Sequence, residues 1–187
     1  MNYNACCAAK DYLRQIHCTT EDLIYETEKL QRNESIGESF VAYVKACHRA
    51  AISLSEELLV YSGFTPARDI AREVIRDHRS RIKAINARSL RPYKNDTDPD
   101  VLNEYLEQHF IIKQRMLDEM RSAEISERIN CDYIRHILPI EEGCLREAEN
   151  ALRLGLSRNL SQIAKDIIAN SKPLVGTMHK LSGMICR

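Results

Sequence analysis

Ile70-Ala71-Arg72-Glu73-Val74-Ile75 and, 93 residues further on, Ile163-Ala164-Lys165-Asp166-Ile167-Ile168 spell one pattern twice. In each copy the apolar residues fall at the spacing of one helical face, and the face runs on through Ile82 and Ile85 in the first and Val175 and Met178 in the second. Extending the comparison at the same offset pairs the chain with itself, without a gap, from residue 11 to residue 89. Tyr12-Leu13 meets Tyr105-Leu106, Glu56 and Leu59 meet Glu149 and Leu152, and Ser89 meets Ser182. Between these identities the apolar type is kept: Phe40 with Tyr133, Val44 with Ile137, Ile52 with Leu145 and Val74 with Ile167. A duplicated unit accounts for both the shared period and the shared phase.

Each unit reads as three helices. The first helices cover residues 3–31 and 99–126, the latter opened by Asp98 as N-cap with Pro99 in the first turn. The second cover 35–61 and 130–154, ending near Gly63 and Gly155, which suit left-handed C-caps. The third start at Thr65-Pro66 and at Ser157 or Asn159. Residues 91–98 concentrate turn formers and charge, so they read as a linker between a first repeat, 1–90, and a second, 99–187. So short a linker packs the two as one shared bundle. The expected fold is all-α, a helical bundle formed by two tandem three-helix repeats.

Composition points the same way. Trp is absent and the chain holds only 6 Gly and 5 Pro, which leaves little turn chemistry for a strand-rich fold. The 27 basic residues cancel the 27 acidic ones, so no overall field draws in nucleic acid or an anionic membrane. Neither a signal-peptide run nor a membrane-spanning run is read, and the expected location is the cytoplasm. The seven cysteines lack C-x-x-C spacing, so reduced thiols are expected, with Cys47 and Cys144 packed in the core. Cys7 and Cys18 are three helical turns apart, too far for one metal ion, so surface or packed thiols are expected there.

Polar residues interrupt the core faces at matching places. His78 falls in the third-helix stripe, and Ser171 holds the corresponding place in the other copy. The second helix carries Phe40, Val44, Cys47, His48, Ala51 and Ser55 on one seam, answered by Tyr133, Ile137, Ile140, Glu141, Cys144 and Ala148. His48 and Glu141 therefore correspond, and a buried charge or imidazole costs several kcal/mol unless paired or coordinated. His136 leans toward the same seam. The middle of a bundle is where helical proteins build metal and cofactor sites; satisfied hydrogen-bonding in the core is the plainer account of each of these residues alone.

The run Ile137-Leu138-Pro139-Ile140-Glu141-Glu142-Gly143-Cys144-Leu145 resembles the hallmark helix, Met-Ile-Pro-His-His-Glu-Gly-Ala-Ile, of domain of unknown function 305, a ferritin-like helical family. Val44 to Ile52 is a weaker version that keeps one motif histidine, His48, and the Ile-Ala-x-x-(Val/Ile)-Ile runs resemble the family's third helix. The resemblance implies a ferritin-like bundle, commonly duplicated, and in some members a metal, copper in particular, held by the paired histidines. Here that pair has become Cys47-His48 and Ile140-Glu141, so the chain is degenerate at the motif histidines. Cys47, His48 and His78 form the better candidate metal set, suited to zinc or copper, and His136 with Glu141 the poorer one. Cys47 and His48 point about 100° apart on a helix, which works against their sharing an ion.

The expected function is that of a non-enzymatic interaction or structural bundle with a decayed metal site, acting with a protein partner or as a homo-oligomer. The alternative is a metal-binding protein (copper, zinc or iron). A di-iron oxidase would need Glu-x-x-His pairs, and none occurs in the chain.

Overall fold

A computed structural model describes residues 3–29, 35–88 and 98–187, with the side chains of 3–9 and 88 left aside. The described residues form six α-helices and no strand: α1 (Tyr3–Glu28), α2 (Ile36–Tyr61), α3 (Thr65–Arg88), α4 (Pro99–Arg121), α5 (Ile129–Leu154) and α6 (Arg158–Ile185). The proposed linker, but for Asp98, lies outside the described residues, as does Ser89 of the Ser89–Ser182 pair. Of the first helix's expected end, only residue 29 is described, and it is a turn.

Local chemistry sets the helix ends. Ser35 caps α2 by accepting from the Glu38 N–H at 3.1 Å, and Asp98 caps α4 by accepting from the Asp100 N–H at 2.8 Å. Gly155 closes α5 in the left-handed conformation, φ +104°, the conformation a C-cap glycine allows at no Cβ cost. Gly63 does not do the same for α2. That helix stops in extended backbone at Ser62, whose hydroxyl accepts from the Phe64 N–H, while the Arg68 guanidinium takes the carbonyls of Leu59 and Ser62, each at 2.6 Å. A side chain from α3 satisfies the orphan carbonyls, so no left-handed residue is required.

α4 also ends at Arg121 rather than near 126. Asp132 captures the Ser126 N–H at 2.8 Å and its hydroxyl at 2.7 Å, and Glu127 turns to φ +57°. The segment is thereby committed to opening α5.

α2 and α5 form the spine. They pack on each other, α2 carrying α1 and α3 and α5 carrying α4 and α6, while α3 and α6 meet across the bundle. The reason is the width of their apolar faces: Phe40, Val44, Ala51, Leu54 and Leu58 of α2 and Tyr133, Ile137, Ile140, Ala148 and Ala151 of α5 are all fully buried. Each of the larger side chains among them stabilises by roughly 1.5–3 kcal/mol on burial, the alanines by less. α5 begins and ends 93 positions after α2. No described helix is long and apolar enough to cross a membrane.

Seven reduced thiols were the expectation, and one pair departs from it. The foot of α6 returns to the head of α5, and Cys186 is bonded to Cys131 across a Cα–Cα distance of 5.2 Å. A separation of 55 residues between single cysteines carries no local signal of this pairing. Cys47 and Cys144 are free and buried, as expected, and Cys18 is free and exposed.

Candidate functional site

The spine and the α3–α6 contact enclose a polar centre. His48 (α2), His78 and Arg81 (α3), Glu141 (α5) and Ser171 (α6) are all buried, Arg81 being 6% exposed and the other four fully enclosed. They reach one another because α3 presents Val74, His78, Arg81 and Ile85 on a single inward stripe, and α6 presents Ile167, Ser171, Leu174 and Met178 likewise.

His78 Nε2 lies 2.6 Å from Glu141 Oε1, a contact that needs one proton between them. Arg81 NH1 stands 3.5 Å from the same nitrogen and 3.4 Å from Ser171 Oγ, and Ser171 Oγ donates to Glu141 Oε2 at 3.5 Å. Burial alone would raise the Glu141 pKa, but the charge and hydrogen bond of His78, with Arg81 and Ser171, outweigh it and hold the carboxyl below its ordinary value. His48 packs edge-on against His78, ring centroids 4.4 Å apart, and neither of its ring nitrogens has a hydrogen-bond partner. Burial, then His78 and Arg81, push its pKa well down, so it is neutral. Beside this centre the Ser55 and Tyr133 hydroxyls share a hydrogen bond of 2.9 Å.

Of the five residues singled out from sequence, three converge: His48, His78 and Glu141. Cys47 faces the other way, its Sγ 3.9 Å from Met116 Sδ on α4. His136 is buried but satisfied inside its own helix, with Nδ1 2.8 Å from the Asp132 carbonyl, and burial lowers its pKa. Among the described residues no three His, Cys, Asp or Glu side chains come together in an arrangement able to hold a metal ion.

Sequence reasoning missed Arg81, whose only signal is its place three residues after His78 on the buried stripe. It also missed a second polar group where α4 meets α5 and α2. There the Tyr105 hydroxyl donates to Glu147 Oε1, His109 Nδ1 lies 3.1 Å from the same oxygen, and the His109 ring stacks on Tyr105 and meets Tyr43 edge-on. Tyr105, His109, Ile112 and Met116 recur at helical spacing, which was the available clue. Set against protein-family models, curated proteins and solved structures, the chain finds no match in any of the three.

Proposed function

We propose that this chain is a non-catalytic structural or interaction bundle, built from two tandem three-helix units in a ferritin-like manner, in which an ion pair has taken the place of a metal at the centre. The resemblance to domain of unknown function 305 supplies the expectation of an ancestral metal site, and the exact 93-residue offset between α2 and α5 supports duplication. One observation carries the reading: the Arg81 guanidinium stands 3.5 Å from the His78 nitrogen that faces Glu141. An added cation would meet that fixed positive charge at close quarters, a repulsion of about 4 kcal/mol per unit charge at ~4 Å and an effective dielectric of about 20. A guanidinium cannot shed its proton to make way. Partner binding or self-association belongs to the same reading, and Phe110 and Ile111, adjacent on α4 and 57% and 55% exposed, support it.

The second reading, metal binding at the His48–His78 part of the expected set, with Cys47 turned away toward α4, is favoured by the two unpartnered nitrogens of His48. Elemental analysis of protein from metal-supplemented cells separates the two. Under the first reading, metal content is the same in wild type, His48→Gln and His78→Gln, whereas stability drops in His78→Gln. Near-stoichiometric metal that disappears in either variant would overturn it.

A further inference from the structure

Cys47, Cys144 and Met116 stand apart from the polar centre. All three are fully buried, and they come from three different helices, α2, α5 and α4. Cys47 Sγ is 3.9 Å from Met116 Sδ, and Cys144 follows Gly143, whose Cα abuts Met116, and interacts with the Cys47 thiol. The Tyr43 hydroxyl points into the group, donating to Met116 Sδ at 3.3 Å and reaching Cys47. Gly143 leaves the room: a Cβ there would stand 3.0 Å from both Met116 Sδ and the Tyr43 oxygen.

We propose that this junction of α2, α4 and α5 binds a soft, thiophilic monovalent ion such as Cu(I) through Cys47 Sγ, Cys144 Sγ and Met116 Sδ. Thiolate and thioether donors select such ions over hard cations. Three sulfurs at about 2.3 Å from one ion in a plane stand roughly 4 Å apart, and the Cys47–Met116 pair is already at 3.9 Å. On binding, the two S–H bonds give way to S–metal bonds, both protons leave to solvent and no electron is transferred. The Tyr43 O–H then donates to the thiolate side of the cluster. His109, 12% exposed at the edge of the same junction, marks the way in.

Packing does not demand these sulfurs. At the positions 93 residues away stand Ile140 for Cys47, Ala51 for Cys144 and Leu23 for Met116, all of them buried. This last comparison rests on the duplication proposed above, whereas the sulfur geometry does not.

The test is an anaerobic titration of the full chain with Cu(I) held by a competing chromogenic chelator, in a background carrying Cys6→Ser, Cys7→Ser and Cys18→Ser. The expected result is one Cu(I) per chain with an all-sulfur shell by X-ray absorption. Met116→Leu should weaken binding by at least about tenfold, and Cys144→Ala should abolish it, with helicity retained in circular dichroism. If Cys144→Ala fails to fold, the volume-conserving Met116→Leu decides. Absence of competition with the chelator, binding unaffected by Met116→Leu, or nitrogen in the shell would each overturn the proposal. Loss of Cu(I) in His48→Gln or His78→Gln would instead count against the ion-paired centre.

Discussion

The corner where α1 meets α2 and the corner where α4 meets α5 hold residues 93 positions apart in sequence and are filled with opposite chemistry. In the first, Tyr12, Ile16 and Leu23 lie with Ala51 and Leu54, all buried and, but for one hydroxyl, apolar. In the second, the residues 93 positions later are Tyr105, His109, Met116, Cys144 and Glu147. The tyrosine is common to both, and its fate shows the difference. The Tyr105 hydroxyl donates to Glu147, while the Tyr12 hydroxyl, whose ring packs on Tyr61, is buried without a hydrogen-bond partner. Under the duplication proposed above, aliphatic side chains fill the equivalent places of the first corner, which sets the carboxyl, imidazole and sulfurs of the second apart.

The same contrast runs through the centre, where the first half contributes His48, His78 and Arg81 and the second Glu141 and Ser171. The largest effect expected is from Glu141→Leu, which strands the cationic side of that group and should cost about 3–5 kcal/mol in urea unfolding. A loss below ~1 kcal/mol would mean that His78 and Arg81 do not depend on it. Next is Cys186→Ser. Only the α5–α6 hairpin carries a cross-link among the described residues, and opening it should lower stability by roughly 2–4 kcal/mol. Glu147→Leu, which makes the second corner like the first, should cost about 1–3 kcal/mol by leaving the Tyr105 hydroxyl and His109 unpaired. Adding Tyr105→Phe should recover part of that loss, and a strictly additive double variant would dissolve the comparison.

Acid should act through the buried imidazoles. His48 and His136 have folded-state pKa values pushed below the ordinary 6.5, so the unfolded chain takes up their protons first. Their contribution is therefore complete above about pH 6.5 and is lost as pH falls below it, with a slope of up to about 1.4 kcal/mol per pH unit for each. Glu141, whose pKa is also lowered, adds a loss of the same sign below about 4.5. His48→Leu should flatten the upper part of the profile, and an unchanged profile would show that His48 titrates normally. The smallest effect is reserved for Tyr12→Phe, which removes an unpartnered hydroxyl and should change stability by less than about 1 kcal/mol in either direction.

Much of this was readable in advance, and the boundary has a physical origin. Helical periodicity and caps are local, so the all-helical course, the Asp98-Pro99 start and the Gly155 stop could be read from residues close in sequence. The matching seams also put His48, His78 and Glu141 on inward faces, and all three meet. What escaped is decided by contacts between helices. Arg81 looks like a surface residue until its partners on α5 and α6 are known, and Cys47 cannot be aimed until α4 brings Met116 against it. The Gly63 stop failed because Arg68, on the following helix, reaches back to the carbonyls a left-handed turn would otherwise have satisfied.

The bond between Cys131 and Cys186 also settles how the molecule carries tension. A force applied at Arg187 crosses one residue and then enters the head of α5 through Cys131, so the rest of α5, the turn and α6 lie in a closed loop that bears no load. Pulled from that end, the chain gives way on the N-terminal side of Cys131, from the head of α5 back toward α4, and the α5–α6 hairpin is the part that stays linked.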